Sequence, residues 1–246
     1  MNKNWRMNRE RFHIEGSLLF PRAARNWSIW LFMSLILRIP LWSLLALTAR
    51  TSVILGWCYL TKKKKIAELP LDNGVHALLR GCTKLRRFAL YLRPGGLTDV
   101  GLGYIGQYSS NIRWMLLGHV GESDFGLLQF SRGCPKLQKL ELRGCCFSEH
   151  ALALAALQLA SLRYLWVQGY NASPNGNDLL GMVRPFWNIE FIPPRQESTY
   201  AENDGERVEV GVEHPAQILA YYSLAGPRTD CPNTVIPLIP AQGVYT

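Results

Sequence analysis

Three groups of residues in this 246-residue chain are of types that can do chemistry. The first two lose that reading on their spacing. Gly101-Leu-Gly103-Tyr-Ile-Gly106 matches G-x-G-x-x-G, the turn that lets a backbone approach a dinucleotide pyrophosphate. That fingerprint needs a strand directly before it and a helix opening on it. Here the glycines fall inside a helical stretch beginning near Leu97, so they read as positions where adjacent elements pack closely. Cys58, Cys82, Cys134, Cys145, Cys146 and Cys231 contain no C-x-x-C pair and have no histidine at ligand spacing. Free, mostly buried thiols in a reducing compartment are expected, with no metal. The histidines at 13, 76, 119, 150 and 214 form no such group, being dispersed and without a nucleophile to activate. No enzyme is read from this chain.

The third group is a set of aromatic and basic residues that recur with a repeat. Leu85-Arg-Arg-Phe88-Ala-Leu90, Ile112-Arg-Trp-Met115-Leu-Leu117, Leu137-Gln-Lys-Leu140-Glu-Leu142 and Leu162-Arg-Tyr-Leu165-Trp-Val167 all read L-x-x-L-x-L in apolar character, at spacings of 27, 25 and 25 residues. Those spacings belong to a leucine-rich repeat, in which each unit gives a short strand and a returning helix and buries its apolar face only by stacking on the next unit. Side chains alternate along a strand. If Phe88 and Leu90 point inward, Arg87, Ala89 and Tyr91 face the concave surface. The same step exposes Trp114, Leu116 and Gly118, then Lys139, Glu141 and Arg143, then Tyr164, Trp166 and Gln168. Tyr91, Trp114, Leu116, Arg143 and Trp166 therefore collect in one patch. Trp, Tyr and Arg are the residues most enriched where binding energy concentrates, so the patch predicts a ligand or peptide site.

The elements that must hold this patch follow from helix and turn signals. Leu71-Asp-Asn-Gly74 reads as a turn before a helix from Val75 to Arg80. Thr98 or Asp99 caps the next helix, which runs through Tyr108, and further helices are expected over 122–131 and 148–159, with Ser148 at an N-cap. A helix from Asn177 to Arg184 precedes one more strand, Trp187 to Ile192, and Pro193-Pro194 closes the array. Residues 195–212 are polar and acidic and read as a flexible loop. His214 to Leu224 reads as the terminal cap a solenoid needs, followed by a proline-containing tail with little pattern.

The fold class is thus α/β, a leucine-rich-repeat solenoid (a truncated horseshoe) over residues 66–192, with a C-terminal loop and cap over 193–246. An unrelated basic and apolar segment, residues 1–65, precedes it. That segment holds 12 Lys and Arg against 2 acidic residues, whereas residues 66–246 hold 15 against 16. The repeat part therefore offers no basic footprint for nucleic acid. From Trp27 to Leu60 the chain is strongly apolar, and Trp27 to Leu47 is long enough to span a bilayer. Arg38 near the middle of that span and Pro40 oppose a membrane helix. A membrane anchor within residues 27–60, a presequence, and non-coding sequence joined at Lys65 to Ile66 stay open as readings.

Residues of the repeat part resemble a known family. Lys84-Leu-Arg-Arg-Phe-Ala-Leu-Tyr-Leu-Arg93, Arg113-Trp-Met-Leu-Leu-Gly118, Arg143-Gly-Cys-Cys-Phe147, Leu162-Arg-Tyr-Leu-Trp-Val-Gln-Gly-Tyr170 and Ile218-Leu-Ala-Tyr-Tyr-Ser-Leu-Ala-Gly226 look like the C-terminal third of the coronatine-insensitive family. These are plant F-box leucine-rich-repeat jasmonate receptors related to the auxin receptors. The resemblance covers about Ile66 to Cys231. It implies substrate recognition for a nuclear SCF-type ubiquitin ligase. In such a ligase jasmonoyl-isoleucine, or its mimic coronatine, joins a JAZ repressor degron to the concave face above an inositol phosphate. Carried over position by position, Tyr91 and Arg143 would meet the hormone's polar groups, with Arg143 bridging to the degron. Trp114, Leu116 and Trp166 would make apolar contacts with both. Lys139 and Arg163 would face the inositol phosphate. Residues 1–65 do not resemble the family's F-box, so a Skp-type adaptor is expected only if an F-box is supplied elsewhere. The alternatives are a membrane-anchored leucine-rich-repeat interaction module and an inactive receptor fragment.

Overall fold

The computed structural model of the chain describes residues 29–30, 54–58, 70–173, 177–203 and 206–238. Each L-x-x-L-x-L signature ends in a five-residue strand: β3 (Arg87–Tyr91), β4 (Trp114–Gly118), β5 (Lys139–Arg143) and β6 (Tyr164–Gln168). The four are parallel and pair without a register shift, so that Arg87, Trp114, Lys139 and Tyr164 lie abreast. A one-residue slip would turn every leucine outward, and the apolar positions forbid it. Phe88, Leu90, Met115, Leu117, Leu140, Leu142, Leu165 and Val167 are all buried in one continuous core. Each contributes about 1.5–3 kcal/mol in burial. The expected leucine-rich-repeat fold is what forms.

Helices return the chain between strands: α1 (Asp72–Gly81), α2 (Asp99–Tyr108), α3 (Asp124–Ser131) and α4 (Glu149–Gln158). The last three start on a hydroxyl N-cap. Thr98, Ser123 and Ser148 accept a hydrogen bond from Val100 N–H, Phe125 N–H and Ala151 N–H, respectively. Each cap also donates backward to the acidic residue that opens the preceding helix. Thr98 Oγ1 donates to Asp72 Oδ2 at 2.5 Å, Ser123 Oγ to Asp99 Oδ2 at 2.5 Å, and Ser148 Oγ to Asp124 Oδ2 at 2.6 Å. Ser173 Oγ continues the series to Glu149 Oε2 at 2.6 Å. The other carboxylate oxygen takes the backbone N–H of the same Thr or Ser residue in every case. A carboxylate at a helix N-terminus is stabilised by the local dipole, and here the same group bolts one repeat to the next.

Two of the three glycines in G-x-G-x-x-G also serve this stacking. A Cβ on Gly106 would stand 2.7 Å from the Phe130 carbonyl oxygen, and one on Gly101 would stand 2.2 Å from Asp72 Oδ1. Gly103 has only ordinary van der Waals neighbours. Cys82 and Cys134 are buried where helix turns to strand, and Cys82, Cys134, Cys145, Cys146 and Cys231 are free thiols.

Beyond β6 the structure departs from the sequence reading. The segment over 177–184 is a 3₁₀ helix, Asn177–Met182, and β7 (Trp187–Ile192) does not pair with β6. Residues 195–212 are expected as a flexible loop after Pro193-Pro194; the described residues there belong to an antiparallel ribbon of β8 (Arg195–Asn203) and β9 (Glu206–His214). The ribbon reverses the chain, so β10 (Gln217–Tyr222) runs antiparallel into the gap between β6 and β7. The expected cap is therefore a strand of the sheet. Ile218 and Ala220 are buried, while Gln217, Leu219 and Tyr221 lie abreast of the concave rows. In the tail, β11 (Ile236–Leu238) pairs with β7, and Pro237 sits on this outer strand, where a missing N–H is tolerated.

At the other end, Ile54–Cys58 (β2) pairs in parallel with β3, and Ile29–Trp30 (β1) pairs with β2. Part of the segment read as unrelated to the repeats thus extends their sheet. Ile29 and Trp30, the only described residues of the Trp27–Leu47 stretch, are strand rather than helix. The rest of that stretch lies outside the described residues. Among the described residues, no helix is long and apolar enough to cross a membrane.

Candidate functional site

Three rows of residues cross the concave face. The middle one runs Ala89, Leu116, Glu141, Trp166, Leu219 and Glu190. Glu141 is only 7% exposed. A carboxylate so enclosed is costly unless it is paired, and this one has three partners. Trp114 Nε1–H donates to Oε1 at 3.3 Å, Lys139 Nζ lies 3.1 Å from Oε1, and Arg143 Nη2 lies 3.4 Å from Oε2. One anion from the middle strand thereby holds one aromatic donor and two cations from the rows on either side.

The cations are braced on their other sides. Lys139 Nζ stands 4.5 Å above the Tyr164 ring, and the Arg143 guanidinium stands 4.5 Å above the Trp166 ring. Such contacts stabilise by about 0.5–2 kcal/mol and fix the plane of the guanidinium. Arg143 Nε is buried without a partner, so this residue retains donor capacity. Burial and the nearby Glu141 raise the pKa of Tyr164 above the usual phenol value. Trp166 Nε1–H donates to Gln217 Oε1 at 3.2 Å, which ties the cluster to β10.

Tyr91 completes the upper row. Its ring occupies the space over Gly118, where a Cβ would fall 2.3 Å from Tyr91 Cδ2. Tyr91 Oη lies 3.4 Å from His119 Nε2, with the two rings edge to face. Gly118 pairs in register with Tyr91 and with Arg143, so the Tyr91 and Arg143 backbones stand two strand spacings apart, about 10 Å, with the Tyr91 ring lying between them over Gly118. Tyr91, Trp114, Leu116, Lys139, Arg143 and Trp166 thus share one face. Arg163 does not join them through a contact. It precedes β6, is exposed, and lies 5.6 Å from the Tyr222 ring.

The participants that the sequence reading left out of the site are Glu141, His119, Gln217 and Gly118. Alternation put Glu141 and Gly118 on the face but says nothing of partners. His119 is brought to Tyr91 by a left-handed backbone at φ 51°, and Gln217 arrives from 51 residues away. The face carries cations, indole and phenol donors, and apolar side walls. That set suits an apolar ligand bearing a carboxylate or amide. Among the described residues, no three His, Cys, Asp or Glu are grouped to hold a metal.

Parallel strands of fixed register, each returned by a helix at a 25- to 27-residue period, define a leucine-rich-repeat protein. Its sequence relatives narrow the class. The chain is 68% identical to coronatine-insensitive protein homolog 2 of Oryza sativa subsp. japonica over 182 residues, 74% of this chain and 29% of that protein. It is 68% identical to coronatine-insensitive protein 1 of Arabidopsis thaliana over 176 residues, 72% of this chain and 29% of that protein. GRR1-like protein 1 of Arabidopsis thaliana is 34% identical over 169 residues, 68% of this chain and 26% of that protein. No family model matches. The chain thus spans about three-tenths of the length of the curated relatives it matches, and its repeat part resembles the coronatine-insensitive proteins specifically.

Proposed function

We propose that the concave face from β3 to β6 is a hormone and degron recognition surface of the jasmonate receptor type, serving substrate selection by an SCF-type ubiquitin ligase in the nucleus. The observation that carries this reading is the Glu141 cluster. It fixes Arg143 and Lys139 beside Trp114 and Trp166, in a chain of which 176 residues align at 68% identity with coronatine-insensitive protein 1. Jasmonoyl-isoleucine, or coronatine, would lay its apolar body against Leu116, Trp114 and Trp166. Its polar groups would meet Tyr91 Oη and the outward donors of Arg143. A JAZ degron would then close over the ligand, with Arg143 shared between the two. The protein's part is binding and orientation, and no covalent step falls to these residues.

An inositol phosphate beneath the hormone would draw on Lys139 and Arg163. Their chemistry fits an anion, since Lys139 Nζ is partly solvated and Arg163 has no carboxylate partner among the described residues. Docking to a Skp-type adaptor would need an F-box supplied elsewhere. The test is capture of a JAZ degron peptide by the full chain, with and without jasmonoyl-isoleucine and inositol phosphate. Hormone-dependent capture that Arg143→Ala abolishes is the expected result. Equal capture by both proteins would mean that the concave face is not the site.

A further inference from the structure

Trp114 and Trp166 stand on the concave face, and each has a single N–H to place. That of Trp114 goes to Glu141 Oε1 at 3.3 Å, and that of Trp166 goes to Gln217 Oε1 at 3.2 Å. An indole is a donor only. Both rings have therefore spent their one polar group inside the protein and present apolar ring surface to whatever lies on the face. The two acceptors differ in kind. Glu141 is an anion shared with Lys139 and Arg143, whereas Gln217 is a neutral amide that leaves the charge balance around Arg143 untouched.

Gln217 is delivered by a well-held part of the sheet. β10 pairs with β6 on one side and with β7 on the other, which sets Gln217 abreast of Gln168 and Ile192. Its neighbour Ala216 is buried, and the Ala216 carbonyl accepts from Gly169 N–H at 2.9 Å. Trp166 is abreast of Leu219, so Gln217 meets it on the diagonal, within reach of a long side chain. The ring held in this way is the one on which the Arg143 guanidinium rests at 4.5 Å. An indole whose N–H has no acceptor is free to turn about its side-chain torsions, and a cation stacked on it loses its fixed plane. We propose that Gln217 is a positioning residue of the recognition surface: it fixes the Trp166 ring and, through the ring, the plane of Arg143. This role rests on the hormone and degron reading of the concave face, and it requires no contact between Gln217 and the ligand.

The test is a double-mutant cycle on hormone-dependent capture of a JAZ degron peptide by the full chain, using Gln217→Leu, Trp166→Phe and the two together. Phenylalanine keeps an aromatic face but has no N–H to place. Gln217→Leu should weaken capture about fivefold, the scale of one neutral hydrogen bond. Made in the Trp166→Phe chain, the same change should cost about twofold at most, because the donor it serves is already gone. A second readout needs no ligand: Arg143 Nε is buried, and its ¹⁵N-detected N–H resonance should move in Gln217→Leu. If melting shows that Gln217→Leu does not fold, Gln217→Met replaces it with the same expectations. Unchanged capture by Gln217→Leu, an equal loss in both backgrounds, or an unmoved Arg143 resonance would overturn this role and leave the concave-face reading standing. No hormone-dependent capture by the folded unaltered chain would overturn both.

Discussion

Carboxylates do two different jobs in this molecule. Along the edge where the helices begin, Asp72, Asp99, Asp124 and Glu149 each accept from a Thr or Ser hydroxyl and the backbone N–H of the same residue about one repeat further on. On the concave face, Glu141 gathers Trp114, Lys139 and Arg143. The edge acids recur in every unit, as a scaffold requires. Glu141 recurs in none of the other repeat strands, where Ala89, Leu116 and Trp166 stand abreast of it. A repeated acid holds the solenoid together, whereas a unique acid among aromatics and cations prepares one place on it. Glu190 in β7 is a third case: it accepts from Tyr221 Oη at 2.9 Å and joins two strands of the closing sheet.

The sharpest way to break this contrast is to remove an edge acid. Asp99 accepts from Glu122 N–H, Ser123 N–H and Ser123 Oγ. Asp99→Ala should cost about 2–3 kcal/mol of stability, read by chemical denaturation, with hormone-dependent capture by the folded fraction unchanged. Glu141→Gln should show the opposite balance. Stability falls by about 1–2 kcal/mol because the two cations reach solvent, while capture weakens about tenfold as Arg143 and Lys139 lose their anchor. If capture survives Glu141→Gln and fails with Asp99→Ala, the two roles have been assigned the wrong way round.

Smaller effects sharpen the same picture. Ser123→Ala leaves the Asp99 carboxylate in place but removes the cap, and should cost about 1 kcal/mol. Thiol chemistry then reads the packing directly. Burial pushes the Cys134 thiol up to about 12 and the Cys145 thiol up to about 11. At pH 8 an alkylating reagent should label exposed Cys146 well before Cys82, Cys134 or Cys145, as mass spectrometry would show. The sign of the linked pH effect follows from the raised values. The unfolded chain loses these protons first, so stability falls as pH rises above about 9 toward 12.

What could be read from the residues alone was what a local period carries. Four strands, their inward and outward faces, and the caps at Thr98 and Ser148 follow from spacing and side-chain type. The acid-to-hydroxyl ladder was present in the same period, as Asp99 to Ser123 and Asp124 to Ser148, but its pairing is visible only once the repeats are stacked. The closing region is different. The position of β10 between β6 and β7 depends on the β8–β9 ribbon turning the chain around, and no period marks a partner 51 residues away. Glu141 was placed on the correct face, yet its neutralising role depends on three side chains from two strands converging on it.

The most direct measurement is hormone-dependent capture of a JAZ degron peptide by the folded full chain and by Arg143→Ala, with equal melting temperatures confirmed for both. The account predicts capture by the unaltered chain only when jasmonoyl-isoleucine is present, and none by Arg143→Ala. Hormone-independent capture, equal capture by both proteins, or none by the folded unaltered chain would contradict it.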